Sequence, residues 1–386
     1  MTSIDLPIAG RRLEAFRLSP PRQFPAPGRP FSRVAFSAAH VVADPWAAVD
    51  PGLGGAIDWD ATMAYRRHLW SLGLGVAEAM DTAQRGMGLD WPQSLELIGR
   101  SVREAAQHPG ALLASGAGTD HLAAGGAYTI DEVIAAYEMQ CAAVEGCGGA
   151  IILMASRALT AAARGPDDYR LVYGRILSQL RGKAILHWLG EMFDPALQGY
   201  WGAADHWAAM DVCLDVIHAN ADKIDGIKIS LLDREKEEAL RRRLPPGCRM
   251  YTGDDFNYPD LIAGAGGLHS DALLGIFDPI APAAAAALGR LAEGDEAGFH
   301  AILAPTLPLS RHIFAAPTRF YKTGVVFMAY LNGHQDHFAM IGGQQSARSL
   351  LHLAEVFRLA DGAGLLRDPD LACGRMRAVM ATLGVG

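Results

Sequence analysis

The sequence predicts a (β/α)8 barrel, a TIM barrel, followed by a C-terminal helical extension. Three observations carry this. Eight short apolar runs alternate with helix-like segments between residues 33 and 292. Strands alternating with helices pair in parallel, and eight of them favour a closed barrel. A chain of 386 residues, half of them hydrophobic, is long enough to bury a large core. The runs also end in polar residues, at the side where such barrels hold their chemistry.

Taken in order, residues 1–30 ("RLSPPRQFPAPGRP" within them) are rich in Pro and Arg and read as an extended leader. The barrel is expected over 31–293. Its strand candidates are "RVAFSAAHVV" (33–42), "GVAEAMD" (75–81), "ALLASGAG" (111–118), "GAIILMAS" (149–156), "KAILHWLG" (183–190), "GIKIS" (226–230), "CRMYTGDD" (248–255) and "GLHSDALLGI" (267–276). Between them, "DWDATMAYRRHLWSLG", "WPQSLELIGRSVREAAQ", "TIDEVIAAYEMQCAAVEG", "DDYRLVYGRILSQLR", "GAADHWAAMDVCLDVIHANA", "DREKEEALRRRL" and "YPDLIAGAG" read as helices, and the Ala-rich run 281–292 supplies the eighth. Residues 294–386 keep helical periodicity with loop breaks and read as an appended helical region.

Net charge is −8, and the densest basic cluster, Arg241-Arg242-Arg243, lies on an exposed helix face. The electrostatic footprint of a nucleic-acid binder is missing. Five scattered cysteines without a CxxC suit a reducing compartment. With no apolar leader region and no run of about 18 apolar residues, the expectation is a soluble cytoplasmic protein without a membrane partner.

The strand tips gather His40, Glu78, Asp81, Ser115, Ser156, Arg157, His187, Glu191, Lys228, Asp254, Asp255 and His269 to Asp271. Lys228 is the most informative. In "DGIKIS", alternation puts Gly226, Lys228 and Ser230 on one face and Ile227 and Ile229 on the other. Lysine is almost never buried without a partner or a task, so an inward Lys228 reads as a nucleophile.

Four stretches together resemble the dihydrodipicolinate synthase / N-acetylneuraminate lyase superfamily: "DGIKIS", "YTGDD" (251–255), "AGAGGLHSDALLGIFDP" (263–279) and "TRFYKTGVVFMAYLNG" (318–333). The resemblance covers roughly residues 33–360. It implies a barrel enzyme that forms a Schiff base at Lys228 with a small keto acid or keto sugar, without a cofactor or metal, in a homo-oligomer. The chain departs from the family pattern at three places. The Thr-Thr-Gly-Glu after the second strand becomes "MDTAQRG" (80–86), keeping Thr82. The fourth-strand tyrosine is absent from "LMASRA" (153–158), and "YN" on the fifth strand becomes His187-Trp188.

A Schiff base needs a neutral amine, which burial favours, and a proton carrier beside the imine. With the tyrosine absent, His187 is the expected carrier, titrating near neutral pH, with Glu191 to orient or replace it. Arg157 is placed to grip a carboxylate, and Thr82, Ser270 and Asp254 to hydrogen-bond the substrate. Aldol cleavage and dehydration both remain open, as does the substrate. Two other classes compete. His40, Glu78 or Asp81, His187, Glu191, Asp254 and His269 could converge on a divalent ion in a sugar isomerase, epimerase or metal-dependent lyase. A sugar-acid binder that has lost the chemistry would keep the barrel but has no need of Lys228.

Overall fold

A computed structural model describes residues 2–385. Eight parallel strands close into a barrel: β3 (Ala35–Ala38), β4 (Gly75–Glu78), β5 (Leu113–Ala117), β6 (Ala150–Leu153), β7 (Ala184–Leu189), β8 (Ile224–Ser230), β9 (Arg249–Thr252) and β10 (Asp271–Leu274), with β10 pairing back onto β3. They are preceded by an antiparallel hairpin of β1 (Ser3–Ile8) and β2 (Arg12–Arg17). This hairpin departs from the extended leader expected over residues 1–30. Gly10 and Arg11 both take positive φ, which lets the chain reverse tightly. Ile4 and Leu6 are buried, and Arg377 from the last helix donates to the Ser3 carbonyl at 2.8 Å.

Helices start where short polar side chains hold their first free N–H groups. Asp58, Asp90 and Asp205 cap the helices Trp59–Ser71, Trp91–Ala105 and His206–Ala219, and Thr129 with Glu132 forms a capping box before Ile130–Gly146. The strands alternate as a closed barrel requires. Phe36, Ala77, Ile152, Ile185 and Leu273 fill the interior, while Val76, Ile151, Leu186 and Leu274 pack outward under the helices.

After the barrel, helices run from Glu296 to Thr382. One of them, Tyr321–Leu331, is buried along its whole length, and its first residue reaches the loop after β4. The C-terminal region therefore helps to roof the end of the barrel that carries the polar strand tips. No helix among the described residues is long and apolar enough to cross a membrane.

Candidate active site

Lys228 sits on β8, and its neighbours in sequence show which way it points. Ile227 and Ile229 belong to the core beneath the helices, so Lys228 takes the opposite, interior face. It is 7% exposed. His187 on β7 and Tyr251 on β9 lie directly beside it in register. Gly253 is required by its close packing on β8: a Cβ there would stand 2.2 Å from Ser230 Oγ, 2.7 Å from the Ile229 carbonyl oxygen and 2.7 Å from Lys228 Cε. The "TGDD" glycine thus gives the lysine its channel.

Burial lowers the Lys228 ammonium from its usual range, and the carboxylates of Asp255 and Asp81 pull it back up. Asp255, likewise buried, is raised well above ordinary carboxylates, although the N–H of Ile276 donates to it at 2.9 Å. Asp254, one residue earlier, has a different task. Its Oδ1 accepts from the N–H groups of Phe256 (2.8 Å) and Asn257 (3.0 Å), and its Oδ2 from the Asn257 amide at 2.8 Å. The expected substrate contact at Asp254 is therefore corrected. A loop turn occupies that carboxylate, and Asp255 is the one that acts on the lysine.

His187 is buried, with Nε2 3.5 Å from Ser230 Oγ and no partner for Nδ1 among the described residues. Burial and then the Lys228 charge push it well below the ordinary histidine range. Both effects oppose the titration near neutrality expected from the sequence and favour the neutral imidazole.

Thr82 is buried on the turn after β4 and shares a 2.8 Å hydrogen bond with the hydroxyl of Tyr321. The Tyr321 ring stacks on Phe314, centroids 4.4 Å apart, and burial raises its hydroxyl well above the ordinary range. Tyr321 and Lys228 both feel Asp81 and Asp255. Sequence reasoning missed this tyrosine. Beside Asp81 opens a cavity of about 210 Å³, lined by Arg85, Arg157, Asp194, Arg319 and Lys322 among others. Arg157 is exposed and paired with Asp194, and Arg85 is locked by two hydrogen bonds to Asp120, at 2.9 and 2.7 Å.

Other expected site residues lie elsewhere. Glu191 is partly exposed and its carboxylate is taken up by His206 at 3.1 Å, so its expected role beside the imine is corrected. Ser270 precedes β10 instead of closing it, because that strand starts at Asp271 and is shorter than the apolar run suggests. Its hydroxyl donates to Glu237 (2.7 Å) and accepts from Arg241 (3.0 Å), far from a substrate-binding position at the strand tips. The residues read as metal ligands also have other partners. His40 is held by Asp278 at 2.8 Å, Glu78 is gripped by Arg66 at 2.9 and 2.8 Å, and His269 is exposed. Among the described residues no three His, Cys, Asp or Glu side chains are grouped to hold a metal ion.

What the site contains is a buried lysine, a buried carboxyl group, a neutral imidazole and a roofed mouth. The barrel that holds these groups has counterparts among solved structures. Three solved structures illustrate the likeness. A putative dihydrodipicolinate synthetase from Pseudomonas aeruginosa has TM-score 0.65 at 13% identity, over 86% of this chain and 99% of that one. The chloride-inhibited dihydrodipicolinate synthase from Acinetobacter baumannii, complexed with pyruvate, has TM-score 0.62 at 14% identity, over 86% and 99%. The 4-hydroxy-tetrahydrodipicolinate synthase from Methylacidiphilum fumariolicum SolV has TM-score 0.63 at 14% identity, over 91% and 98%. At such identities the likeness is one of fold. No curated protein matches. A family model described as "Protein of unknown function (DUF993)" matches residues 4–385. With nearly every residue inside that match, the chain belongs to this family, and its barrel is that of the dihydrodipicolinate synthase structures.

Proposed function

We propose that the protein is a Schiff-base-forming lyase, an aldolase or dehydratase, acting on a small keto acid or keto sugar. The observation that carries this reading is the inward Lys228, buried beside Asp255 and His187 at the polar end of the barrel. Burial favours the neutral amine that attacks a ketone. The amine adds to the carbonyl carbon, water leaves, and a protonated imine remains. That iminium accepts the electron pair released when a C–C bond breaks, or when a neighbouring C–H loses its proton ahead of a departing hydroxyl. Water then adds to the imine carbon and frees the lysine.

Each route needs a proton carried to and from the substrate. His187, neutral and next to Lys228 in register, accepts one. The Tyr321–Thr82 pair takes the place of the tyrosine missing from 153–158 and hands protons at the mouth. Asp255 offsets the positive charge of the iminium. Arg157 assists by holding a substrate carboxylate at the rim. Retained barrel resemblance supports a homo-oligomer, and five free cysteines support the cytoplasm as its compartment.

Assaying a panel of 2-keto acids and 2-keto sugar acids for cleavage and for dehydration tests the proposal. Turnover of at least one compound that Lys228→Met abolishes supports it. Turnover unaffected by Lys228→Met, or lost to a chelator and restored by a divalent ion, contradicts it.

A further inference from the structure

Lys322 is a second buried lysine, and the imine chemistry has no use for it. It is 4% exposed on the first turn of the helix Tyr321–Leu331. Its Nζ reaches Met87 Sδ at 3.3 Å and the Arg319 carbonyl at 3.2 Å, and both of those residues line the cavity beside Asp81, as Lys322 does. Among the described residues no carboxylate comes within ion-pair distance of that ammonium. A buried charge without a paired counter-ion is costly, and burial lowers Lys322 to about 8.

The surrounding charges leave the cavity short of anions. Arg157 is matched by Asp194 and Arg85 by Asp120. Arg319, exposed and lying over the Phe320 ring, and Lys322 have no ion-pair partner among the described residues. Among the described residues Asp81 is the one unmatched carboxylate of the lining, and it acts on Lys228 and Lys322 alike.

We propose that this cavity binds an anionic group, a carboxylate or a phosphate, through Lys322 and Arg319, at the end of the substrate away from the reacting ketone. Asp81, whose charge acts on both lysines, links the anchored end to the reacting end. The keto substrate is then a compound with a second negative charge, a dicarboxylic keto acid or a phosphorylated keto sugar acid. This substrate assignment rests on the imine reading, but the binding itself does not.

The test therefore uses enzyme that cannot form an imine. Inorganic phosphate and succinate are titrated calorimetrically into the full-length Lys228→Met protein, with and without Lys322→Gln or Arg319→Gln added. We expect binding of at least one anion, weakened about tenfold or more by Lys322→Gln. Arg319→Gln, at an exposed position that leaves folding intact, weakens it as well. Saturation by phosphate alone points to a phosphoryl group, and by succinate alone to a carboxylate. No binding of either anion, or binding that neither substitution weakens, overturns the proposal. A failure of Lys228 to trap any ketone would sink the imine reading and leave this result standing.

Discussion

Lys228 and Asp255 act on each other within the barrel, and each moves the other's ionisation against the effect of burial. Burial lowers the lysine while the carboxylate lifts it, and burial raises the carboxyl group while the lysine lowers it. Each charge offsets part of what burial costs the other. A nucleophile that must shed a proton before attack benefits from that balance.

Removing the carboxylate shows its direction. In Asp255→Asn the lysine loses the charge that raises it, so its proton leaves at lower pH. The rising limb of imine formation against pH moves to lower pH by about 1–3 units. Rates of borohydride-dependent inactivation across pH 5–10 measure this. A limb moving to higher pH, or not moving, is inconsistent with the pairing.

His187→Gln tests the proton carrier. Burial and the Lys228 charge favour the neutral, basic form of the wild-type imidazole. The substitution lowers kcat by about 10²–10⁴ with KM little changed, and leaves the near-neutral part of the pH profile in place. Disappearance of a limb near pH 7 would show that His187 titrates there after all.

Tyr321→Phe removes a hydroxyl and little volume. Loss of the Thr82 hydrogen bond costs about 1 kcal/mol in stability, read from denaturant midpoints. A proton-transfer role adds a fall in kcat of about 10²-fold or more. Unchanged kcat would leave Tyr321 as roof alone.

Glu237 provides a pH test away from the chemistry. Its carboxyl group is buried under Thr252 (2.9 Å) and Ser270 (2.7 Å), and burial raises it to about 8. The folded state thus binds this proton more tightly than the unfolded chain. Stability from it is complete below the ordinary carboxylate range and is lost as pH rises toward 8. Glu237→Gln, which cannot ionise, flattens the fall of Tm between pH 5 and pH 8. An equal fall in both proteins would place the titration elsewhere.

Much of this site is legible in the sequence. Alternation along "GIKIS" gives the inward lysine, but the choice between Asp254 and Asp255 is made by the turn after β9 ends at Thr252, which strand alternation does not reach. Strand limits are less legible. An apolar run does not say where hydrogen bonding begins, so Ser270 reads as a strand tip when it precedes the strand. Tyr321 and Lys322 are invisible to local pattern, because Tyr321 meets Thr82 from 239 positions away through tertiary packing. Within the apolar stretch "YKTGVVFMAYL", a buried lysine beside a tyrosine was the available signal.

Covalent trapping at Lys228 tests the central claim most directly. The wild-type protein is reduced with borohydride in the presence of a panel of 2-keto acids and 2-keto sugar acids, then digested and mapped by mass spectrometry. The account predicts an adduct on the peptide containing Lys228, absent without substrate and absent in Lys228→Met. An adduct confined to Lys322 or another lysine, or no adduct across the panel, would contradict it.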